Sequence, residues 1–253
     1  MSDVARSRAG HPLASVWLAE RAKPSRRAAP EGLDRERIVA AVTRLLDAEG
    51  LSGFSMRRLV AELGVSAMSV YWYVDTKDDL LEMALDAVSG EVRLPDPAAE
   101  RPWQEDLRQL ASELRSALVA HPWASRLIGE YLNVGPNSLA MTVTALRVLD
   151  KAGVHRSAAP GALSALYQFV YGYATVEGRW VERCQAAGVD QDAVLRDVFQ
   201  ALMAMPGLAE QVPILQERIE APFEQTRERD FRIALDTVVA GLEVMAGRHR
   251  DGA

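Results

Sequence analysis

The chain contains a single cysteine and no long apolar run, and each absence excludes a class of protein. With only Cys184 among its 253 residues, it can form no internal disulfide and no cysteine-based zinc or iron–sulfur site. No apolar stretch approaches the roughly 18–20 residues that span a bilayer. The N-terminus is interrupted by Arg6, Arg8 and Pro12 and lacks the apolar core of a secretory signal. We therefore expect a soluble, cytoplasmic protein that does not enter a membrane.

Common catalytic motifs and metal-binding spacings are missing as well. The sequence has no G-x-S-x-G, P-loop, H-E-x-x-H or G-x-G-x-x-G motif. Cys184 has Arg183 beside it but no nearby histidine, and it shares a helical face with Val181, so we expect a buried structural thiol. No two of the four histidines have metal-ligand spacing. We expect no enzyme activity, no metal and no cofactor.

Charge is distributed unevenly along the chain. The net charge is −6, which argues against binding nucleic acid through bulk charge. Residues 1–77 nevertheless hold 12 Lys and Arg against 9 Asp and Glu, whereas the remainder holds 17 against 26. Residues 1–32 contain prolines, glycines and six basic side chains, and they predict a flexible basic arm with a short helical turn at 16–18. A leader without a role is the alternative.

Residues 33–90 show the pattern of several short helices. Four capping residues precede apolar side chains at helical spacing: Asp34, Ser55, Ser66 and Thr76. Thr76 and Asp79 also fit a capping box. We expect the first helix to stop at Gly50, the second to end at Gly64, and the third to run over residues 67–73. Two short helices joined by a glycine-containing turn are typical of a helix-turn-helix.

Beyond residue 90 the pattern is again helical. Residues 91–101 contain two prolines, break the period and predict a domain boundary. We expect helices ending at His121 and Gly153, a long helix over about 158–187, a shorter one over about 193–205, a loop at 206–222 and a last helix over about 229–246. The predicted fold is all-α. Its three parts are an arm (1–32), a helix-turn-helix domain (33–90) and a helical bundle (91–253).

The segment from Ser55 to Lys77 carries the candidate DNA contacts. A recognition helix must expose small and polar side chains to the major groove and bury an apolar face, for which Val65 and Val70 are the natural residues. The exposed candidates are small or aromatic: Ala67, Met68, Ser69, Tyr71, Trp72 and Tyr73. Their hydroxyl and indole groups can donate to phosphates, and Ala67 or Met68 can contact a thymine methyl group.

Two cations complete this candidate surface. Arg57 can reach a guanine edge or a phosphate from the first turn of its helix. Lys77 lies in the first turn of the next helix, where the helix dipole also attracts a phosphate. The alternative is that Tyr71, Trp72 and Tyr73 form the core of a plain bundle. Three consecutive residues cannot all point one way on a helix, so at least one must be exposed.

Residues 34–88 resemble the DNA-binding domain of the TetR family of transcriptional regulators. The strongest match is GVSAMSVYWYVDTKDDLL at residues 64–81, which is similar to the family signature. The Tyr71–Val74 variant and the order of the later helices resemble the tetracycline-repressor branch. The resemblance implies a homodimer whose recognition helices enter successive major grooves of a near-palindromic operator, and a C-terminal domain that binds a small-molecule inducer and forms the dimer.

Carried over by position, the resemblance implies base contacts from Arg57, Met68 and Ser69. Phosphate contacts are implied for five residues: Ser55, Tyr71, Trp72, Tyr73 and Lys77. Two departures, Met56 in place of a hydroxyl residue and Tyr73 in place of the tetracycline repressor's histidine, imply a different operator. Arg26 and Arg27, in the arm, lie close enough to Asp34 to reach a flanking minor groove.

The C-terminal half carries the candidate ligand site. Its candidates combine aromatic bodies with polar tips: Trp123, Tyr131, Asn133, Tyr167, Gln168, Tyr171, Glu177 and Trp180. Such side chains suit a pocket for a flat, largely apolar or aromatic ligand, although they also occur in cores and dimer interfaces. Small residues at 161–174 and an apolar face at 231–245 favour a four-helix dimer interface. Ile128 stands where the related branch has its metal-coordinating histidine, so a metal–tetracycline complex is not expected.

Together these features predict a ligand-responsive transcriptional regulator, and a repressor in the first instance. It would bind double-stranded operator DNA as a homodimer, and a small-molecule inducer would release it from the DNA. The helix at 76–90 would link its two domains. The alternative is a helical protein that binds or sequesters a small molecule and no longer binds DNA. The net charge, Met56 and Met68 favour that alternative, whereas Arg57, Tyr71 and Lys77 argue against it.

Overall fold

The computed structural model describes residues 15–18, 32–205 and 222–250. Within these ranges the chain forms ten helices and no strand, which confirms the predicted all-α class. The helices are α1 (Arg35–Gly53), α2 (Met56–Leu63), α3 (Ala67–Tyr71), α4 (Lys77–Gly90), α5 (Trp103–Ala120), α6 (Pro122–Leu127), α7 (Pro136–Lys151), α8 (Ala159–Ala187), α9 (Gln191–Met203) and α10 (Phe223–Arg250). The predicted loop at 206–222 and most of the predicted arm, including Arg26 and Arg27, lie outside the described residues.

The predicted helix starts in the N-terminal unit are confirmed. The Asp34 carboxylate accepts the Arg37 N–H at 2.7 Å, and the Ser55 hydroxyl accepts the N–H of Arg58 at 3.4 Å. Thr76 and Asp79 form the full capping box, with the Asp79 N–H 3.0 Å from the Thr76 hydroxyl. Each cap satisfies a backbone donor that the helix itself leaves unpaired.

The helix break predicted at Gly50 is confirmed, because Gly50, with φ 66° and ψ −178°, is non-helical and separates most of α1 from its last turn, which ends at Gly53. The predicted end of the third helix is wrong. α3 ends at Tyr71, two residues early, with Trp72 as its C-cap. Between α2 and α3, Gly64 has φ +68° and directs its N–H to the Val60 carbonyl, so the helix-turn-helix bend requires the left-handed conformation that glycine adopts most easily.

A shared core holds these helices together. The largest fully buried side chains of the N-terminal unit come from four helices: Ile38, Val42, Leu46, Leu59, Val70, Leu80 and Met83. Burying one such side chain contributes about 1.5–3 kcal/mol. α4 packs against α1 on one side and against α7 and α5 on the other, so it belongs to both helical units.

In the C-terminal unit, α5 packs along α8 as the most extensive helix pair among the described residues. The predicted end at His121 is confirmed, but the sequence missed the short helix α6 that begins at Pro122. α10 begins at Phe223, earlier than predicted. On α7 the predicted apolar stripe is only half buried, because Leu139, Val143 and Leu146 are exposed while Val148 and Leu149 are buried.

The short described N-terminal segment packs on α4. Residues 16–18 form the turn that the sequence predicts, and Val16 is buried in the core. The Val16 N–H donates to the Glu82 carboxylate at 2.7 Å, and the Ser15 hydroxyl donates to the same carboxylate. Glu82 is buried, so these bonds offset the cost of burying its charge.

Candidate nucleic-acid interface and ligand cavity

The helix α3 buries an apolar face in the core and exposes its other face to the solvent. Val70 is fully buried, whereas Met68 is 77% exposed and Tyr71 is 45% exposed. Ala67 is exposed beside them, and the hydroxyls of Ser66 and Ser69 lie 2.9 Å apart at the start of the helix. An exposed face of small, hydroxyl and apolar side chains has the chemistry that major-groove recognition uses.

Two cations lie on neighbouring elements. Arg57 on α2 is exposed and forms no ion pair within the described part of the chain, whereas its neighbour Arg58 pairs with Glu49. The Lys77 ammonium group donates to the Phe54 carbonyl at 3.2 Å and lies 5.2 Å from the centre of the Phe54 ring. Lys77 is thus held in place at the surface, while Arg57 is available for a ligand.

The three consecutive aromatic residues have different roles. Tyr71 is the exposed one, whereas Trp72 and Tyr73 are half-buried and pack edge to face with ring centres 4.7 Å apart. The Tyr73 hydroxyl donates to the Leu33 carbonyl at the start of α1. That bond uses the phenol proton inside the protein, and the phosphate contact of Tyr73 stays a prediction. Ser55, also predicted to contact phosphate, is half-buried as the α2 cap.

A second feature is a partly open cavity of about 570 Å³ between α4, α5, α7 and α8. None of the described residues that line it is charged. Leucine, valine and alanine supply ten of the 22 lining residues, and eight others carry a polar group: Ser89, Asn133, Ser138, Thr142, Ser164, Tyr167, Gln168 and Tyr171. Ile128 also lines it. A cavity of this kind binds a neutral, largely apolar molecule and fixes its orientation with a few hydrogen bonds.

The structure brings together half of the predicted ligand residues and separates the rest. Asn133, Tyr167, Gln168 and Tyr171 line the cavity. The Tyr167 and Tyr171 rings are parallel to within 4°, with centres 6.4 Å apart. Burial raises the pKa of Tyr167 to about 12, so its phenol stays neutral and can donate a hydrogen bond. The Tyr171 hydroxyl already donates to the Ser125 carbonyl on α6 at 2.9 Å.

Four predicted ligand residues do not line the cavity. Trp123 is fully buried and donates to the Asp47 carboxylate at 2.7 Å, and Tyr131 contacts Asp78 at 3.4 Å. Burial also raises the pKa of Tyr131. Trp180 packs edge to face on Phe223, with ring centres 6.1 Å apart.

Glu177, the fourth, is buried in a two-bond ion pair with Arg115 at 2.8 and 3.1 Å. Arg115 also reaches Glu228 of α10 at 2.6 Å. At a helical rise of about 1.5 Å per residue, Glu177 lies roughly 9 Å beyond Tyr171 along α8. Glu177 therefore faces α5 and α10 rather than the cavity, and spacing along one long helix does not reveal which neighbouring helix each of its faces meets.

The sequence missed the joint between α4 and α7 that forms part of the cavity wall. The buried Asp86 carboxylate accepts the N–H groups of Ser138 at 2.9 Å and Asn137 at 3.3 Å. The Ser138 hydroxyl donates to that of Ser89 at 3.0 Å, and both line the cavity. The Gly135–Pro136 pair signals a helix start, but nothing local indicates a capping carboxylate about 50 residues earlier.

Three further features concern the single cysteine, metal-binding clusters and membrane-spanning helices. Cys184 is buried, as predicted for a structural thiol. Over residues 15–18, 32–205 and 222–250 there is no group of three or more histidine, cysteine or acidic side chains that could hold a metal ion. In the same ranges no helix is long and apolar enough to cross a membrane.

An exposed recognition helix and a partly open, mainly apolar cavity between α4 and the later helices define a ligand-binding helix-turn-helix regulator. A family model described as bacterial regulatory proteins of the tetR family matches residues 38–84. A model described as the tetracyclin repressor-like C-terminal domain matches residues 95–246. The chain belongs to the TetR family of transcriptional regulators.

Individual relatives cover most of the chain. An HTH-type transcriptional regulator of Saccharopolyspora erythraea is 35% identical over 83% of this chain and 87% of its own. The HTH-type transcriptional repressor DrrR1 of Streptomyces coeruleorubidus is 29% identical over 98% of this chain and 88% of its own. The solved structure of ActR from Streptomyces coelicolor with actinorhodin is 30% identical, has a TM-score of 0.67, and covers 84% of this chain and 96% of that one.

Proposed function

We propose that this protein is a repressor that binds a near-palindromic operator as a homodimer and leaves it when a small molecule fills the cavity. One observation carries the proposal: α4 is packed against the helix-turn-helix unit and also forms a wall of the cavity through Leu85, Val88 and Ser89. In this proposal residues 33–90 bind DNA and residues 91–253 bind the ligand and the second protomer.

The proposed DNA contacts follow the exposed residues of α2, α3 and α4. Arg57, Ala67, Met68 and Ser69 contact base edges, because they are the exposed or half-exposed side chains at the N-terminal ends of α2 and α3. Phosphates are contacted by Ser55, Tyr71, Trp72 and Lys77. Arg26 and Arg27 reach the flanking minor groove.

The proposed inducer is a neutral, planar molecule with aromatic rings and a few oxygen atoms. The uncharged wall offers no counter-ion to a charged group, whose burial would therefore be costly. The parallel rings of Tyr167 and Tyr171 offer flat surfaces, and the amides of Asn133 and Gln168 can donate to oxygen atoms. The solved structure of the relative ActR with actinorhodin supports a small-molecule ligand for this chain.

Dimerisation is proposed through α8 and α10. Each helix exposes large apolar side chains that a single protomer leaves in water: Val176 is 73% exposed on α8, and Ile233 and Val244 are 61% and 56% exposed on α10. Packing these faces in a four-helix interface would remove that apolar surface from water.

Induction is proposed as a population shift. A ligand that binds more tightly when α4 has moved lowers operator affinity by its preference for that state. The Ser89–Ser138 hydrogen bond lies where ligand and α4 meet, so a bound molecule can compete for it directly. The proposal contains no catalytic step and places the protein in the cytoplasm with its DNA.

The test is selection from a random duplex pool at about 150 mM salt, where non-specific binding is weak. We expect enrichment of an inverted repeat by the wild-type protein and loss of that enrichment with Arg57→Ala plus Met68→Ala. Actinorhodin serves as the first inducer probe, and a bulky Ala145→Trp variant, which fills the cavity, serves as its matched control. A folded, dimeric protein that enriches no site would refute operator binding and favour the small-molecule-sequestering alternative.

A further inference from the structure

A buried histidine joins the two helical units at a point away from both the cavity and the DNA-facing residues. His121 lies between α5 and α6, Asp47 is on α1, and Glu91 is the residue that ends α4. We call these three residues the His121 cluster. The His121 Nδ1 is 2.7 Å from Asp47 Oδ1, and its Nε2 is 3.0 Å from Glu91 Oε2.

The geometry determines the protonation state of the ring. An ionised carboxylate only accepts hydrogen bonds, whereas a neutral imidazole has one donor and one acceptor nitrogen. Both ring nitrogens of His121 face carboxylate oxygens, so both contacts can be hydrogen bonds only when the ring carries two protons. The cluster as described is therefore an imidazolium between two carboxylates.

The surroundings favour that charged form. Among the described residues, Asp47 of α1 and Glu91 of α4 are the charged groups that interact with the ring, and the neutral Trp123 of α6 packs near it with ring centres 5.9 Å apart. Burial lowers the pKa of His121, but the hydrogen bonds and charges of Asp47 and Glu91 outweigh burial and raise the pKa above its ordinary value.

The cluster is also a mechanical connection. Asp47 accepts a second hydrogen bond from the Trp123 indole N–H at 2.7 Å, so two side chains at the start of α6 bind one residue of α1. Glu91 ties the same histidine to the end of α4. α1, and with it the helix-turn-helix, is thus tied to the ligand-binding unit by three hydrogen bonds, and the second ring proton of His121 is needed for one of them.

We propose that His121 in its doubly protonated form is a positioning residue for operator binding, which holds the helix-turn-helix unit against the ligand-binding unit. This inference rests on the proposed function of operator binding. A fixed orientation lowers the entropy that each protomer loses when both recognition helices dock on DNA.

The sign of the pH dependence follows from the raised pKa. The protonated ring contributes its full stabilisation below the ordinary histidine pKa of about 6.5. That stabilisation is lost as the pH rises through the higher pKa that His121 has in the folded protein. Operator affinity is therefore expected to fall as the pH increases above about 6.5.

The experiment measures operator affinity from pH 6 to pH 8.5 at constant salt for the wild type, His121→Gln and the control His155→Gln. His155 is exposed in the turn before α8, remote in sequence from the cluster. From pH 6 to pH 8.5, the operator affinity of the wild type and of His155→Gln should fall about threefold to tenfold more than that of His121→Gln. The reason is that a partly exposed ion pair contributes up to roughly a factor of ten. Parallel profiles for the wild type and His121→Gln would overturn the inference.

Two DNA-free measurements separate this inference from the proposed function. In an NMR titration, the His121 ring, assigned by its loss in His121→Gln, should have a midpoint above 6.5, and Glu91→Gln should lower it. Hydrogen exchange of the α1 amides should be faster in His121→Gln than in the wild type at pH 6. A midpoint at or below 6.5, or unchanged α1 exchange, would overturn the inference even if no operator is found. Failure of the site selection alone would overturn only operator binding.

Discussion

The close approach of Gly135 to Asp86 makes the joint between α4 and α7 sensitive to a single methyl group. A Cβ atom at position 135 would lie 2.2 Å from Asp86 Oδ1, 2.3 Å from its Cγ and 2.8 Å from its Cβ. Asp86 is buried, and its carboxylate holds the N–H groups of Asn137 and Ser138. Because its side chain is short and fully engaged, it cannot move aside without losing these bonds.

Gly135→Ala should therefore destabilise the protein by the sum of two effects. Overpacking a tight site costs about 1–3 kcal/mol. Loss of a helix N-cap costs about 0.5–2 kcal/mol. Together these give an expected loss of roughly 1.5–5 kcal/mol in the free energy of unfolding.

Urea unfolding followed by circular dichroism, at one fixed protomer concentration, measures this loss. Gly129→Ala is the matched control, because a Cβ there meets nothing within 4 Å, and it should change stability by about 0.5 kcal/mol or less. In an Asp86→Gly background the Oδ1, Cγ and Cβ atoms of the clash are all absent, so Gly135→Ala should cost less than about 1 kcal/mol there. Equal stability of Gly135→Ala and Gly129→Ala would refute the reasoning, as would an undiminished cost in the Asp86→Gly background.

Three further predictions concern DNA binding and are measured by fluorescence anisotropy on the selected operator. Arg57→Ala should cost about 1–3 kcal/mol and relax preference at one base pair, and an unchanged base preference would contradict a base contact. Lys77→Ala should weaken binding to all duplexes and reduce the slope of log affinity against log salt concentration by about one. A loss of affinity confined to some sequences would contradict a phosphate contact. Arg26→Ala with Arg27→Ala should weaken binding mainly on operators with A·T-rich flanks, and equal affinity on all flanks would refute the minor-groove contact.

The arm is better tested by these substitutions than by deletion. Removing residues 1–30 would also remove Val16 from the core and leave the buried Glu82 carboxylate without the two donors from residues 15 and 16. A truncated protein would thus lose stability as well as any DNA contact. Circular dichroism of each variant separates the two effects.

Local features of this protein were predictable from the sequence alone. The caps at Asp34, Ser55 and Thr76 form hydrogen bonds to residues three positions later, so the residue types themselves determine where the helices start. The helix-turn-helix follows from the same local rules, because Gly64 allows the bend and Val70 must be buried for the short α3 to pack at all.

Tertiary structure alone decided which face of each long helix is buried, lines the cavity or is exposed to solvent. Helical spacing places Tyr167, Tyr171 and Glu177 on one long helix, yet only the first two meet the cavity, because Glu177 lies on another face of α8 and pairs with Arg115 of α5. For the same reason Leu139 on α7 is exposed although it belongs to an apolar stripe. The His121 cluster unites residues 74 and 30 positions apart, and no local pattern specifies such a contact. Short-range hydrogen bonds are encoded where they form, whereas burial and charge pairing depend on which distant segments the whole fold brings together.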